Sequence, residues 1–131
     1  MPFARLTLIP ASTPESAHGL AVDLTELIAR DLGKRRELTS VLIETPSECR
    51  WTIGANGCET AAHLEVCVTA GTNSDDEKQG FLANAMLLLR NARSDLEVAT
   101  YVVVKELPAT DWGYDGRTQA DRARQKALSA I

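Results

Sequence analysis

The spacing of hydrophobic residues changes twice in the first half of the chain. Apolar and polar positions alternate over residues 3–9, which predicts a strand with one buried face. Apolar residues then recur at steps of three and four over residues 17–32, which predicts a helix that begins at the capping signal of residues 12–15 and ends at Gly33. Residues 38–45 predict a second strand. This order of elements predicts a parallel βαβ unit.

The second half of the chain repeats this plan. Residues 63–69 predict a strand, residues 74–77 form a capping box before an amphipathic helix, and residues 100–105 predict another strand. Because this last strand is continuously apolar, we expect it to be central in the sheet and covered. We also predict a loop or short hairpin over residues 47–57 and an amphipathic helix over residues 119–131.

The two halves are related by a nearly constant interval. Four features recur 61 or 62 residues apart: Ser12 and Ser74, Glu44 and Glu106, Pro46 and Pro108, and Trp51 and Trp112. We therefore predict a single α+β domain of two pseudo-repeats, at about residues 1–60 and 61–131. Its two βαβ units would form a four-stranded sheet with both helices on one face. The other face would need a covering, which favours an oligomer.

Composition narrows the classes of function. The 131 residues include 14 Lys and Arg against 18 Asp and Glu, a net charge of −4, so the chain lacks the basic surface that nucleic acid requires. No apolar run approaches the length of a membrane span. Three cysteines and two histidines follow no metal-binding or redox spacing, so we expect no metal. The start of the chain lacks a secretory signal, which predicts a cytoplasmic protein.

The candidate for catalysis is Pro2, because the chain has none of the common nucleotide-binding, metalloprotease or serine-hydrolase motifs. If Met1 is removed, the Pro2 nitrogen becomes a secondary amine. Apolar surroundings would lower the pKa of this amine, so that it could act as a general base near neutral pH. The alternative is that a proline at this position has no chemical role.

Several short motifs resemble the tautomerase superfamily: Met1-Pro2 opening the first strand, the βαβ unit, and the segment KELPATDWGYDGR at residues 105–117. The repeat and the length resemble the fused forms of 4-oxalocrotonate tautomerase, in which two short subunits are joined. The resemblance implies the fold of macrophage migration inhibitory factor, a homotrimer, no cofactor, and catalysis by Pro2. Ala62 stands at the matching place in the second half, which implies one active site per chain.

Two tryptophans match the aromatic residue that lines the pocket in this superfamily. They are Trp51 and Trp112, and a fused chain that supplies its own pocket favours Trp112. Either ring would exclude water and lower the pKa of the amine. The alternative is that both tryptophans fill the core or an interface.

Two arginines that bind dicarboxylates in the superfamily have no counterpart here. Their places hold Ser12 and Leu42 in the first half and Thr72 and Tyr101 in the second. The resemblance therefore implies weak activity toward dicarboxylates. The candidate substitutes are Arg5, Arg50, Lys105, Arg117 and the phenol of Tyr101. Each of them can instead be a solvated surface group.

We therefore predict a tautomerase that uses Pro2 for keto–enol proton transfer on a small enolisable keto acid. Two alternatives stay open. A protonated Pro2 could act as a general acid in hydration, dehalogenation or decarboxylation, or the chain could be a non-catalytic oligomeric module that binds a small ligand. The state of the N-terminus bears on this choice, because a retained Met1 makes the Pro2 nitrogen an amide.

Overall fold

Two long helices pack side by side on one face of a four-stranded sheet. The computed structural model describes residues 1–130. In chain order the elements are β1 (Phe3–Ile9), α1 (Pro14–Leu32), β2 (Ser40–Glu44), β3 (Thr52–Ile53), β4 (Asn56–Gly57), β5 (Ala61–Thr69), α2 (Asp75–Ala92), β6 (Val102–Leu107), β7 (Gly113–Tyr114), β8 (Arg117–Thr118) and α3 (Gln119–Ser129). The predicted α+β fold is confirmed.

The strand order in the sheet is β2-β1-β5-β6. Strand β1 pairs in parallel with β2, β5 pairs in parallel with β6, and the central β1–β5 pair is antiparallel. Each βαβ unit is followed by a tight hairpin, β3–β4 in the first half and β7–β8 in the second. The N-terminal end of β1 therefore lies beside the C-terminal part of β5, where Phe3 is opposite Cys67.

The helix boundaries follow from capping residues. Thr13 caps α1 by accepting a hydrogen bond from the Ser16 amide at 3.1 Å, and Gly33 ends this helix in the left-handed conformation, with φ of 63°. Ser74 and Glu77 form the predicted capping box at the start of α2. The predicted hairpin in residues 47–57 and the helix that begins at Gln119 are confirmed. Ile131, assigned to that helix, lies outside the described residues.

The hydrophobic core lies between the helices and the sheet. Alternate residues of β1 and β5 point into it, and each helix buries one apolar stripe. The largest fully buried side chains include Leu6, Leu64, Val66, Leu24, Ile28 and Phe81. Burying each of them stabilises the fold by about 1.5–3 kcal/mol. This packing fixes β1, and with it the position of Pro2.

Strand β6 lies at an edge of the sheet, so the prediction that residues 100–105 form a central strand is wrong. Val102 and Val104 pack on the core, while Val103 alternates to the opposite face and is half-buried. The apolar run thus places apolar side chains on both faces of one edge strand. Hydrophobicity alone does not distinguish that arrangement from burial in the centre of a sheet.

The sheet face away from the helices is mixed rather than uniformly apolar. The Nε of Arg5 lies 2.6 Å from Glu44, and His63 lies 3.1 Å from Glu65. Phe3 is 39% exposed and belongs to the same face. We call this surface the open face. It combines ion pairs with exposed apolar side chains.

Candidate active site

A cavity of about 360 Å³ lies at the N-terminal end of β1. Pro2 is buried in its wall, and Trp112 lies in the wall contributed by the second half of the chain. We call it the proline cavity. Its other lining residues are Met1, Phe3, Leu38, Ser40, Cys67, Gly113, Tyr114 and Gln119. Residues from both pseudo-repeats therefore meet around Pro2.

Pro2 is held in place by the sheet. Its carbonyl accepts a hydrogen bond from the Ser40 amide at 3.2 Å, which extends the β1–β2 pairing beyond Phe3. The ring is buried, and its nitrogen is joined to the carbonyl of Met1 in the full chain. A free Pro2 nitrogen would thus lie at a fixed point in an apolar setting.

Trp112 is positioned by two hydrogen bonds. Its indole Nε1 donates to Thr69 Oγ1 at 3.2 Å, and its carbonyl accepts from the Gln119 amide at 2.9 Å. The next residue, Gly113, has no room for a side chain, because a Cβ there would lie 1.8 Å from the backbone oxygen of Arg117. The sequence WGYDGR therefore folds into a tight hairpin that fixes the indole against the cavity.

Positive charge surrounds the N-terminus. Burial lowers the pKa of the Met1 amine below its ordinary value, and the nearby Lys34 ammonium lowers it further. Burial also lowers the pKa of Lys34, whose Nζ donates a hydrogen bond to Thr72 Oγ1 at 2.8 Å. An amine in this region is therefore biased toward its neutral form.

A second cavity, of about 650 Å³, adjoins the first. Met1, Tyr114 and Gln119 line both. We call the second one the cationic cavity, because Arg35, Arg122 and Lys126 line it. The two cavities are therefore neighbours that share part of their walls.

Arg122 has defined partners in the cationic cavity. Its guanidinium carbon lies 3.7 Å from the centre of the Tyr114 ring, and its Nη2 donates to the Tyr114 carbonyl at 3.0 Å. Its Nε is buried and has no hydrogen-bond partner among residues 1–130. This geometry fixes the guanidinium while leaving part of its hydrogen-bonding capacity unused.

The structure brings together two of the eight candidate site residues, and the other six, which include Arg50 and Lys105, line neither cavity. Pro2 and Trp112 line one cavity. Arg5 lies on the open face, paired with Glu44, and Arg117 of β8 pairs with Asp121 at 2.9 Å. Neither arginine is among the residues that line the two cavities.

Trp51 and Tyr101 also lie away from the two cavities. Trp51 precedes the β3–β4 hairpin, and its carbonyl accepts from the Cys58 amide at 2.9 Å, just as Trp112 accepts from Gln119. Tyr101 is 67% exposed at the start of β6. Within one chain, only the tryptophan of the second half faces Pro2.

Several lining residues were missed by the sequence analysis. Neither Arg35 nor any residue of α3 was among the candidate site residues. The available signal was the spacing of Gln119, Arg122 and Lys126, which places these side chains on one face of a helix. That face lines the cationic cavity together with Ala123.

Two further searches of the described chain gave negative results. Residues 1–130 contain no group of three or more His, Cys, Asp or Glu side chains arranged to hold a metal ion. Over the same residues, every helix is too short or too polar to cross a membrane.

No family model and no curated protein matches the chain, but solved structures do. Native fused 4-OT is 20% identical with a TM-score of 0.81, over 93% of this chain and 99% of that chain. Pt0534 inactivated by 2-oxo-3-pentynoate is 11% identical with a TM-score of 0.81, over 92% and 98%. The macrophage migration inhibitory factor-like protein of Entamoeba histolytica is 20% identical with a TM-score of 0.76, over 89% and 97%. At this identity the likeness shows the fold, which is the one that the sequence resemblance predicted.

Proposed function

We propose that the protein is a cofactor-independent tautomerase that acts on small enolisable keto acids. Its general base would be the nitrogen of Pro2, freed by removal of Met1. The observation that carries this proposal is the single cavity lined by Pro2 and Trp112, residues from opposite ends of the sequence. Proteins of the same fold include fused 4-OT, which supports this class of activity.

The proposed reaction is a balanced proton shift. The lone pair of the Pro2 nitrogen takes the proton from the carbon next to the carbonyl, and the electrons of that C–H bond move to the carbonyl oxygen. The resulting enolate would be stabilised by a hydrogen bond from the buried amide side chain of Gln119, which lines the cavity. The protonated amine then returns the proton to another carbon, so nothing is consumed.

The surroundings of Pro2 support a base rather than an acid. Desolvation and the Lys34 cation both lower the pKa of the neighbouring Met1 amine, and both would act in the same direction on a free Pro2 nitrogen. A lowered pKa raises the fraction of neutral amine, which is the form that can accept a proton. The alternative general-acid chemistry needs the protonated amine, which this setting disfavours.

We also propose that the protein assembles as a homotrimer. Three fused 4-OT structures of this fold are named as trimers, two asymmetric and one symmetric. An assembly would cover the exposed apolar groups of the open face. Roles for Trp51 and Tyr101 in substrate binding would then require contact with a site on a neighbouring subunit.

Enol ketonisation tests the proposal. Intact mass should show loss of Met1, and the wild type should convert phenylenolpyruvate to its keto form. Pro2→Ala should lower kcat/KM at least about 100-fold, the usual contribution of a general base, and acylation of the amine should abolish turnover. The matched control is Pro46→Ala, since Pro46 is exposed beyond β2 and should leave the rate unchanged.

The proposal fails on either of two results. One is a mature protein that keeps Met1 and still turns over the enol at the wild-type rate. The other is equal kcat/KM for the wild type and Pro2→Ala. Either result would reject Pro2 as the general base, and absence of turnover in both proteins would favour the small-ligand-binding module.

A further inference from the structure

We infer that the cationic cavity is a subsite for an anionic group of the substrate, carboxylate or phosphate, bound by Arg122 of α3 with Arg35 and Lys126. The inference rests on the proposed function, since Tyr114 and Gln119, which remain after removal of Met1, line both the subsite and the proline cavity. A substrate whose reacting carbon lies at Pro2 would extend its anionic end toward α3.

The lining of the cationic cavity is positively charged. The whole chain carries a net charge of −4, yet three cationic side chains line this cavity and no Asp or Glu does. Arg35 is paired with the exposed carboxylate of Glu37 at 2.6 Å, whereas Arg122 has no carboxylate within ion-pair distance in the described part of the chain. Locally concentrated positive charge in a concave site attracts anions.

The guanidinium of Arg122 is held in place by its contacts with Tyr114. Stacking on Tyr114 and the bond to the Tyr114 carbonyl fix the guanidinium plane, so little conformational freedom remains to be lost on binding. Its Nε is buried without a partner, so the groups that could reach an anion in the cavity are the Nη donors. Apart from the Nη2 bond, its donors make no hydrogen bond within residues 1–130. A planar fork held in this way suits carboxylate or phosphate.

Lys34 adds a fourth cation at the edge of the subsite. It binds Thr72, which lines the cationic cavity and occupies the position of an absent family arginine in the second half of the chain. The three cations that line the cavity therefore stand in place of the missing family arginines, whereas the charge of Lys34 is partly offset by the nearby carboxylates of Glu77 and Glu106. We accordingly expect the protein to favour keto acids with a second anionic group, contrary to the weak dicarboxylate activity implied by sequence.

Binding of inert probes tests the subsite without any turnover. Isothermal titration calorimetry would compare hexanoate, a monoanion, with adipate and 5-phosphonopentanoate, which carry a second anionic group at the far end. At least one of these two should bind about tenfold or more tightly than hexanoate, in line with a charge-assisted hydrogen bond. The same preference should hold in Pro2→Ala, which keeps the cavity.

Variants on α3 locate the effect. Arg122→Gln should abolish the preference for the probes with a second anionic group, and Lys126→Gln should weaken their binding several-fold. Lys126 is exposed, so that variant tests the subsite even if Arg122→Gln fails to fold. The matched control is Arg124→Gln, which removes the same charge from the same helix but from a side chain that is 71% exposed and paired with Asp121.

The outcomes separate the two proposals. No preference over hexanoate in the wild type, or an equal loss in Arg124→Gln, would overturn the subsite even in an active enzyme. A preference that depends on Arg122 in a protein without enol turnover would support the subsite and reject the tautomerase.

Discussion

Pro2 lies where four parts of the chain converge. Phe3 of β1 adjoins it, Ser40 at the start of β2 donates to its carbonyl, and Cys67 of β5 and Trp112 complete the walls around it. The packed core fixes these strands, so the reacting nitrogen would be positioned before substrate arrives. The conformational entropy of these residues is therefore lost during folding, before substrate binds.

Truncation of Trp112 tests the wall of the proline cavity. Trp112→Ala should open this cavity to water, raise the pKa of the Pro2 amine toward its ordinary value and lower kcat/KM about tenfold or more. Trp112→Phe should retain most of the activity, since it keeps an apolar ring and loses only the bond to Thr69. Enol ketonisation across a pH series measures both effects.

Trp51→Ala provides the comparison, because Trp51 occupies the matching place in the first half without lining either cavity of its own chain. A loss equal to that of Trp112→Ala would contradict a pocket completed within one chain. It would indicate instead that a neighbouring subunit contributes Trp51.

Pro2 and Trp112 could be identified from the sequence alone. Pro2 is marked by its position directly after Met1, and Trp112 is marked by the motif that repeats Trp51. Gln119 and Arg122 lack such signals. Gln119 lines the proline cavity and Arg122 the cationic cavity because the β7–β8 hairpin leads directly into α3. Arg5 lies on the predicted first strand, but its side chain is on the open face, where it pairs with Glu44 of the adjacent strand.

At the scale of single elements, α1 offers a test of backbone conformation. Gly19 lies exposed within the helix, where a Cβ would meet nothing, so Gly19→Ala should raise the free energy of unfolding by about 0.5–1 kcal/mol. Gly33 ends the helix with φ of 63°, so Gly33→Ala should lower it by about 1 kcal/mol. Urea unfolding of both variants measures the difference.

Gly19→Ala and Gly33→Ala should change the free energy of unfolding in opposite directions. The substitution is the same and neither site is crowded, so the difference reports on backbone conformation. Two changes of the same sign would contradict the assigned end of α1. That end matters for function, since Lys34 and Arg35 follow directly and flank the cationic cavity.

Most elements could be predicted because their signals are local. Alternation in β1, the Thr13 cap of α1 and the capping box at Ser74 each depend on residues close in sequence. The place of β6 could not be predicted in this way. Strand order depends on pairing between distant segments, and three consecutive valines suit an edge strand with two apolar sides as well as a central one.

For the whole molecule, we predict a trimer with a mass about three times the 14.2 kDa of the chain. Leu42→Lys places a charge on the open face, beside Arg5, and should shift the protein toward monomers. Leu87→Lys is the matched control, because Leu87 is exposed on α2, on the opposite side of the molecule. Size-exclusion chromatography with light scattering gives each mass.

A monomeric wild type at micromolar concentration would contradict the proposed assembly. A trimer that persists in Leu42→Lys but dissociates in Leu87→Lys would locate the interface on the helices instead.

The two-repeat organisation is also a property of the whole molecule. We propose one domain of two pseudo-repeats, divided at about residue 60, in which the first repeat carries Pro2 and the second carries Trp112.

The central claim is that mature Pro2 carries a free amine of lowered pKa, and titration of its nitrogen tests this most directly. In protein labelled with ¹⁵N-proline, NMR would follow the Pro2 signal against pH beside the free peptide Pro-Phe-Ala as reference. We predict an amine signal that titrates at a lower pH than the reference, because burial and Lys34 both disfavour the protonated form. An amide signal that does not titrate, or an amine midpoint at or above the reference, would contradict it.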